Sequence, residues 1–200
     1  YDEPMAREVA PTITFNPSLG SSITLNTIES KWLSNTVYSA SYDVSDQDSE
    51  IPSSVASVGG AKDLANNLQI AYDSSNKIRV DTLNPRVVIT DNITTAIAQG
   101  PVVFNFRFSE PVTGFDLEKI TVTNGTKGQL TTIRSGEEYS LIVEPMANSV
   151  GTMQVAVAAG TFSDVPEANV NNDLATASQG YDTKDNLSLI HISEPTRPER

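Results

Sequence analysis

Two hundred residues carrying 25 acidic and 13 basic side chains give a net charge of −12, which repels nucleic-acid phosphates rather than attracting them. The absence of cysteine excludes a disulfide framework and a cysteine nucleophile, and no run approaches eighteen apolar residues, so no helix of the sequence spans a membrane. Aromatics are sparse while Ser, Thr, Asn, Val and Gly abound, a balance that favours short strands joined by turns, and we expect an all-β fold.

The first strands read as TITF at 12–15, SITL at 22–25, TVYSASYDV at 36–44, SVASV at 54–58 and NKIRVD at 76–81, with LQIAY at 68–72 an alternative start for the last. Trp32 stands ahead of the strand that carries Tyr38 and Tyr42; a lone aromatic of this kind is expected in the core, the competing reading being a sugar-stacking platform. The second half alternates more clearly. RVVIT at 86–90 is followed by PVVFNFRF at 101–108, whose Phe104, Phe106 and Phe108 should point inward and Asn105 and Arg107 outward. KITVT at 119–123 and QLTTI at 129–133 flank Asn124-Gly125, a turn signal suited to a hairpin. EYSLIVE at 138–144, TMQVAVA at 152–158 and LATASQGYD at 174–182 complete seven strands in about a hundred residues, the arithmetic of an immunoglobulin-like sandwich.

Internal repetition sets the boundaries. Tyr1-Asp2 recurs as Val80-Asp81 and as Tyr181-Asp182, and Asp63 lies 18 residues before Asp81 as Asp164 lies 18 before Asp182. Pro4, Pro11 and Pro85 interrupt regular pairing near the same places, so the boundaries fall around residues 2–11 and 81–85. The chain opens on Tyr1 rather than Met, and we expect a piece of a longer protein. The last residues differ in character from the rest. LSLIHISEPTR, from Leu187 to Arg197, holds the only histidine, His191, and reads back, codon by codon, as a translated sequencing adapter. Residues 187–200 are therefore expected to be an unstructured artefact.

FSEPVTGFDLEKITVTNG (Phe108 to Gly125), VAVAAGTFSD (Val155 to Asp164) and the Tyr181-Asp182-Thr183 mark together are similar to the bacterial Ig-like repeats of giant adhesins and other extracellular proteins. YDVSD, GGAKDLANN and VDTLNP in the first half resemble a divergent relative, with Asn66 where such loops usually carry Gly; in the second half the matching loop is expanded to DVPEANVNND. The resemblance implies two tandem immunoglobulin-like β-sandwiches, at 1–80 and 81–186, displayed at the cell surface or outside it, often with calcium, and with neighbouring Ig-like repeats of the same chain as partners.

Calcium wants six to eight oxygens gathered from loops. In such a sandwich the incoming linker, the loop after the second strand and the loop before the last strand meet at one pole. The second unit places Asp81, Glu110 and Asp164 there, and the first Asp2, then Asp43 with Asp46 and Asp48, then Asp63 with Asn66. An ion bridging linker and sandwich would stiffen the hinge between units, whereas the plainer role of Asp and Asn is to favour turns by bonding their own backbone. YDVSDQDSE is not an EF-hand, because Ile51 and Ser57 stand where that loop needs Gly and Glu.

No enzyme is expected. With His191 set aside, Ser-His-Asp triads and His-bearing zinc sites are unavailable. Glu137-Glu138, or Glu110 with Asp116, could only be proposed as a glycosidase pair, and adjacent residues of a strand face opposite ways. A spacer or stalk of a large surface adhesin-like protein is the leading reading. The alternatives are a module that binds a cell-surface glycan or protein near Trp32, Tyr38 and Tyr42, and an accessory domain of a secreted hydrolase.

Overall fold

The computed structural model describes residues 1–184, so the adapter-like segment at 187–200, with His191, lies outside the described residues. The described fold is all-β: its only helical elements are two single 3-10 turns, at Gly20–Ser22 and Leu117–Lys119. The described residues divide into two compact units, one of Tyr1–Pro85 with Ser163–Asn171, the other of Arg86–Phe162 with residues 172–184.

Unit 1 contains β1 (Thr12–Asn16), β2 (Ile23–Trp32), β3 (Tyr38–Val44), β4 (Glu50–Gly59) and β5 (Tyr72–Asp81). β4 is the centre of a three-stranded sheet, β1-β4-β5, and β2 pairs with β3 as a separate two-stranded sheet. β4 and β5 run longer than their sequence suggests, and of LQIAY only Tyr72 joins the strand. The buried core is thin, made by Met5, Trp32 and Ala61 with Tyr38 packed against them.

Unit 2 contains β6 (Val87–Asp91), β7 (Ile97–Ala98), β8 (Val102–Phe108), β9 (Val112–Thr113), β10 (Ile120–Thr123), β11 (Gly125–Arg134), β12 (Glu138–Pro145) and β13 (Val150–Val157). After β14 (Ser163–Asp164), which lies in the segment that groups with unit 1, the last strand is β15 (Ala175–Asp182). Two four-stranded sheets result, β10-β13-β15-β7 and β11-β12-β8-β6. β8 explains why they stick. Val102, Phe104, Phe106 and Phe108 are buried while Arg107 is exposed, the period-two pattern of a strand with one face on a core. Leu141 and Val143 of the same sheet join Ile120, Met153, Val155, Val157 and Tyr181 of the other in one cluster. At about 1.5–3 kcal/mol for each fully buried large apolar side chain, β8 contributes more to this core than its length suggests. Phe108 stacks edge-on against both Phe115 and Phe162, each at 4.9 Å.

The structure corrects the hairpin expected at Asn124-Gly125. Asn124 does take the left-handed conformation of a turn, at φ 57°. β10, however, pairs with β13 and β11 with β12, so the dipeptide carries the chain from one sheet to the other and closes no hairpin. Glycine is needed there because a Cβ on Gly125 would sit 2.8 Å from Val143 Cγ1 and 3.0 Å from the Glu144 carbonyl oxygen.

The same local devices occur in both units. Glu50 faces Asp81 across β4 and β5, and Val150 faces Asp182 across β13 and β15. Thr82 donates to the Ser49 carbonyl from its backbone N–H at 2.9 Å and its hydroxyl at 3.1 Å, and the Thr183 backbone N–H donates to the Ser149 carbonyl at the same 2.9 Å, with its hydroxyl oxygen likewise 3.1 Å from that carbonyl. The residues just before those serines, Asp48 and Asn148, both lie in the left-handed region, at φ 47° and 50°.

Candidate metal centre

Two acids organise matching loops. After β4, Asp63 Oδ1 accepts from the Asn67 backbone N–H at 2.8 Å and Oδ2 from the Asn67 side-chain amide at 2.7 Å, while the Asp63 N–H returns to the Asn67 carbonyl at 3.0 Å. Asp164 does the same with Asn169, at 2.7, 3.0 and 3.0 Å. Isolated bridges close both loops, Lys62 to Leu68 and Ser163 to Val170. The residue ahead of each closing asparagine is left-handed, Asn66 at φ 70° and Ala168 at φ 66°. Asn tolerates that conformation at position 66; alanine at 168 does so against its own sterics. The hydrogen bonds from the Asn67 side chain, and then from its backbone, hold the Asp63 carboxyl below the usual carboxylate range. Sequence reasoning misses Asn67 and Asn169, which make these loops; their place at the end of each D…N loop is the one signal that distinguishes them.

Asp81 ends β5 and turns the chain. Its Oδ1 accepts from the Leu83 N–H at 3.1 Å, as Asp182 Oδ1 accepts from the Lys184 N–H at 3.0 Å, so the two repeated aspartates build the same two-residue side-chain turn. The Asp81 side chain is almost fully buried, and its Oδ2 takes a hydrogen bond from Arg79 Nη2 at 2.6 Å. Arg79 also pairs with Glu50 at 3.1 Å and with Glu167, which makes it the local counter-charge. These acceptors, Glu50 foremost, raise its own pKa further. Asn169 Nδ2 bridges from Asp164 to the Asp81 carbonyl at 3.2 Å.

Of the three acids expected to share an ion, Asp81 and Asp164 belong to the first compact unit, joined through Asn169, and Glu110 to the second.

The acids named in unit 1 do not meet in the way expected. Asp63 and Asp2 line one groove together with Glu3, Met5 and Asn67. Asp43, Asp46 and Asp48 lie beyond the other end of β4, a ten-residue strand that separates them from the Asp63 loop. There they serve backbone and amide groups. Asp43 accepts from the Asn26 side chain at 3.2 Å, Asp46 Oδ1 from the Asp48 N–H at 3.0 Å, and Asp48 Oδ1 from the Asn84 N–H at 3.0 Å. Asn66 accepts from Lys62 Nζ at 2.9 Å. The pairing of Asp2 with Asp81 is also misplaced: Glu3-Pro4-Met5 matches Glu110-Pro111-Val112, which makes Glu3 the counterpart of Glu110.

The remaining candidates have structural work. Trp32 is buried and packs edge-on against Tyr38 at 5.3 Å, with Tyr1 at 5.4 Å, so it is core. Asp116 caps the 3-10 turn by accepting from the N–H groups of Glu118 and Lys119, and Glu137 pairs with Arg134 at 2.8 Å. No match to this chain was found among curated proteins. The family profile described as bacterial Ig-like domain matches residues 81–183, a span that opens on Asp81 and closes on Thr183, just after Asp182. With more than half of its length covered by that match, the chain belongs to the bacterial Ig-like domain family.

Proposed function

We propose that this chain is a non-catalytic repeat segment of an extracellular or cell-surface stalk, in which Ig-like units hold another domain away from the cell. Domains of this family are usually extracellular or surface-associated and are generally non-catalytic. The observation that carries the stalk reading is the recurrence in unit 1 of the strand register, Thr–Ser closure and Asp–Asn loop found around β13 to β15. A chain that repeats its closing devices is suited to serial extension. Reading the coding sequence on either side tests this: further copies of the Glu-Pro and Asp-Thr marks at intervals of about a hundred residues support a stalk. An adjoining catalytic domain would overturn it in favour of an accessory module. The glycan-binding alternative is weakened by the burial of Trp32, which removes its platform.

We further propose calcium as the ion held by Asp81, Glu110 and Asp164, on the sequence reading that sets an acid in the linker, in the loop after the second strand and in the loop before the last. Its role would be to neutralise clustered carboxylates where the linker enters the domain, and so to stiffen the hinge. Extracellular sites of this kind bind in the 10⁻⁴–10⁻³ M range, so 10 mM calcium should stabilise by about 1.5–3 kcal/mol. Melting with calcium and with chelator reads this directly, as a rise on the order of 10 °C. An unchanged midpoint rejects structural calcium.

A further inference from the structure

Unit 1 has five strands, and all five have counterparts by pairing partner in unit 2: β2-β3 answers to β11-β12, and β4-β5 to β13-β15. β1, which pairs with β4, answers to β10, which pairs with β13. Nothing in unit 1 answers to β6 and β8. In unit 2 the far edge of β12 is filled by β8, antiparallel, with Tyr139 opposite Phe106 and Leu141 opposite Phe104. In unit 1 the matching edge of β3 carries no strand among the described residues.

Two hydrogen bonds fix where such a strand would end. The Phe108 N–H, the last of β8, donates to the Glu137 carbonyl at 2.9 Å, and the Val112 N–H donates to the Gly136 carbonyl at 2.8 Å. In unit 1 the Tyr1 nitrogen donates to the Thr36 carbonyl at 2.7 Å, and the Met5 N–H to the Asn35 carbonyl at 2.8 Å. Thr36 and Asn35 precede β3 as Glu137 and Gly136 precede β12. Tyr1 therefore stands where Phe108 stands, and Glu3-Pro4-Met5 where Glu110-Pro111-Val112 stands.

The packing shows what is missing. β8 gives unit 2 four buried apolar side chains, and without an equivalent unit 1 has a core cluster of only Met5, Trp32 and Ala61. A groove of about 690 Å³ opens instead, with Ile13 of β1, Tyr38 of β3, Val58 of β4 and Tyr72 of β5 on its walls. Tyr72 is 63 % exposed and Ile70 90 %, unusual values for apolar side chains that line a sandwich. The buried indole N–H of Trp32 also finds no acceptor among the described residues.

Resting on the reading of unit 1 as a further repeat, we propose that the open edge of β3 and the groove beside it seat a strand of the β8 type. It runs antiparallel to β3, carries apolar side chains at every second residue, and continues covalently into Tyr1. The residue two before Tyr1 then faces Tyr38, as Phe106 faces Tyr139. Backbone pairing supplies attachment, and alternate side chains fill the groove.

The test extends the full chain by placing the Arg86–Arg107 segment directly ahead of Tyr1. Hydrogen exchange is then read at the β3 amides that face away from β2. Exchange at that edge should slow about ten-fold or more, and the unit 1 melting midpoint should rise. A control extension with Val102, Phe104 and Phe106 moved one place, so that the apolar face is turned outward, should do neither. Unchanged exchange at the β3 edge in the in-phase extension overturns the proposal. So does an edge already slow in the unextended chain at the molar mass of a dimer, which assigns it to a second copy. Failure of the underlying repeat reading looks different: the β4 and β5 amides would then exchange freely in every form.

Discussion

Ala168 offers the sharpest quantitative check on the loop that carries Asp164. It holds φ 66° in a loop whose twin uses Asn66 at φ 70°, and Asn is among the few non-glycine residues that accept this region readily. Left-handed backbone costs an L-residue about 1–2 kcal/mol relative to glycine. Ala168→Gly removes that cost, loses little burial because the side chain is exposed, and frees the unfolded chain by about 0.4–1 kcal/mol. The net expectation is stabilisation by about 0.5–1 kcal/mol, or roughly 2–6 °C in midpoint. The assay is thermal and urea unfolding, with hydrogen exchange at the Asp164 and Asn169 amides to confirm that the gain is local. Asn66→Ala is the mirror experiment and should destabilise by roughly 1 kcal/mol, since it places in the twin loop the strain that Ala168 carries now. A neutral Asn66→Ala together with a destabilising Ala168→Gly would refute the argument from backbone strain.

Removing Phe106, which is fully buried, by Phe106→Ala should cost about 3–5 kcal/mol and unfold unit 2 at a lower denaturant midpoint, while Val88→Ala on an exposed face of β6 should change little. Gly180→Ala brings a Cβ within 2.7 Å of the Ala96 carbonyl oxygen, a backbone atom, and should destabilise by about 1–3 kcal/mol, detected as loss of the parallel β7–β15 pairing by amide exchange. Thr183→Val removes a hydroxyl that accepts from the Ser149 N–H at 3.1 Å and donates to the Met146 carbonyl at 2.6 Å, and should cost about 1–2 kcal/mol in chemical denaturation. The depressed pKa of Asp63 means that its contribution is complete above about pH 4 and is lost as pH falls through the lower folded value. The midpoints of the chain and of Asp63→Asn should therefore converge on acidification, and parallel curves would reject the assignment.

What can be read in the sequence follows from side-chain patterning. β8 is legible because its apolar residues alternate against Asn105 and Arg107, so one face has to be inside. β4 and β5 read short because SSVASV and DSSNKIRVD mix small and polar residues on strands whose faces are mostly half-buried or exposed. β7, β9 and β14 span two residues each, too few for any period. Unit 1 misleads because the dipeptide Tyr1-Asp2 looks like Val80-Asp81. Three more residues separate the two cases: Tyr1-Asp2-Glu3-Pro4-Met5 runs in step with Phe108-Ser109-Glu110-Pro111-Val112.

The loop geometry also decides which substitution can test the proposed ion. Asp164 is 1 % exposed, and its two oxygens are already engaged by the backbone and side-chain amides of Asn169. Asp164→Asn would place an amide against an amide and open the loop whether or not calcium binds, so a lost melting shift in that variant would not separate the two causes. Asp81 is entangled in the same way, with Oδ1 forming the turn to Leu83 and Oδ2 held by Arg79. Glu110→Gln is the informative change, because it keeps the shape of the side chain and leaves the Asn169 and Leu83 hydrogen bonds in place while removing one of the three proposed ligand charges. If the ion is bound, this variant should lose most of the calcium-dependent rise in midpoint, read against its own midpoint in chelator. A variant that keeps the full rise would remove Glu110 from the site, and with it the three-carboxylate centre.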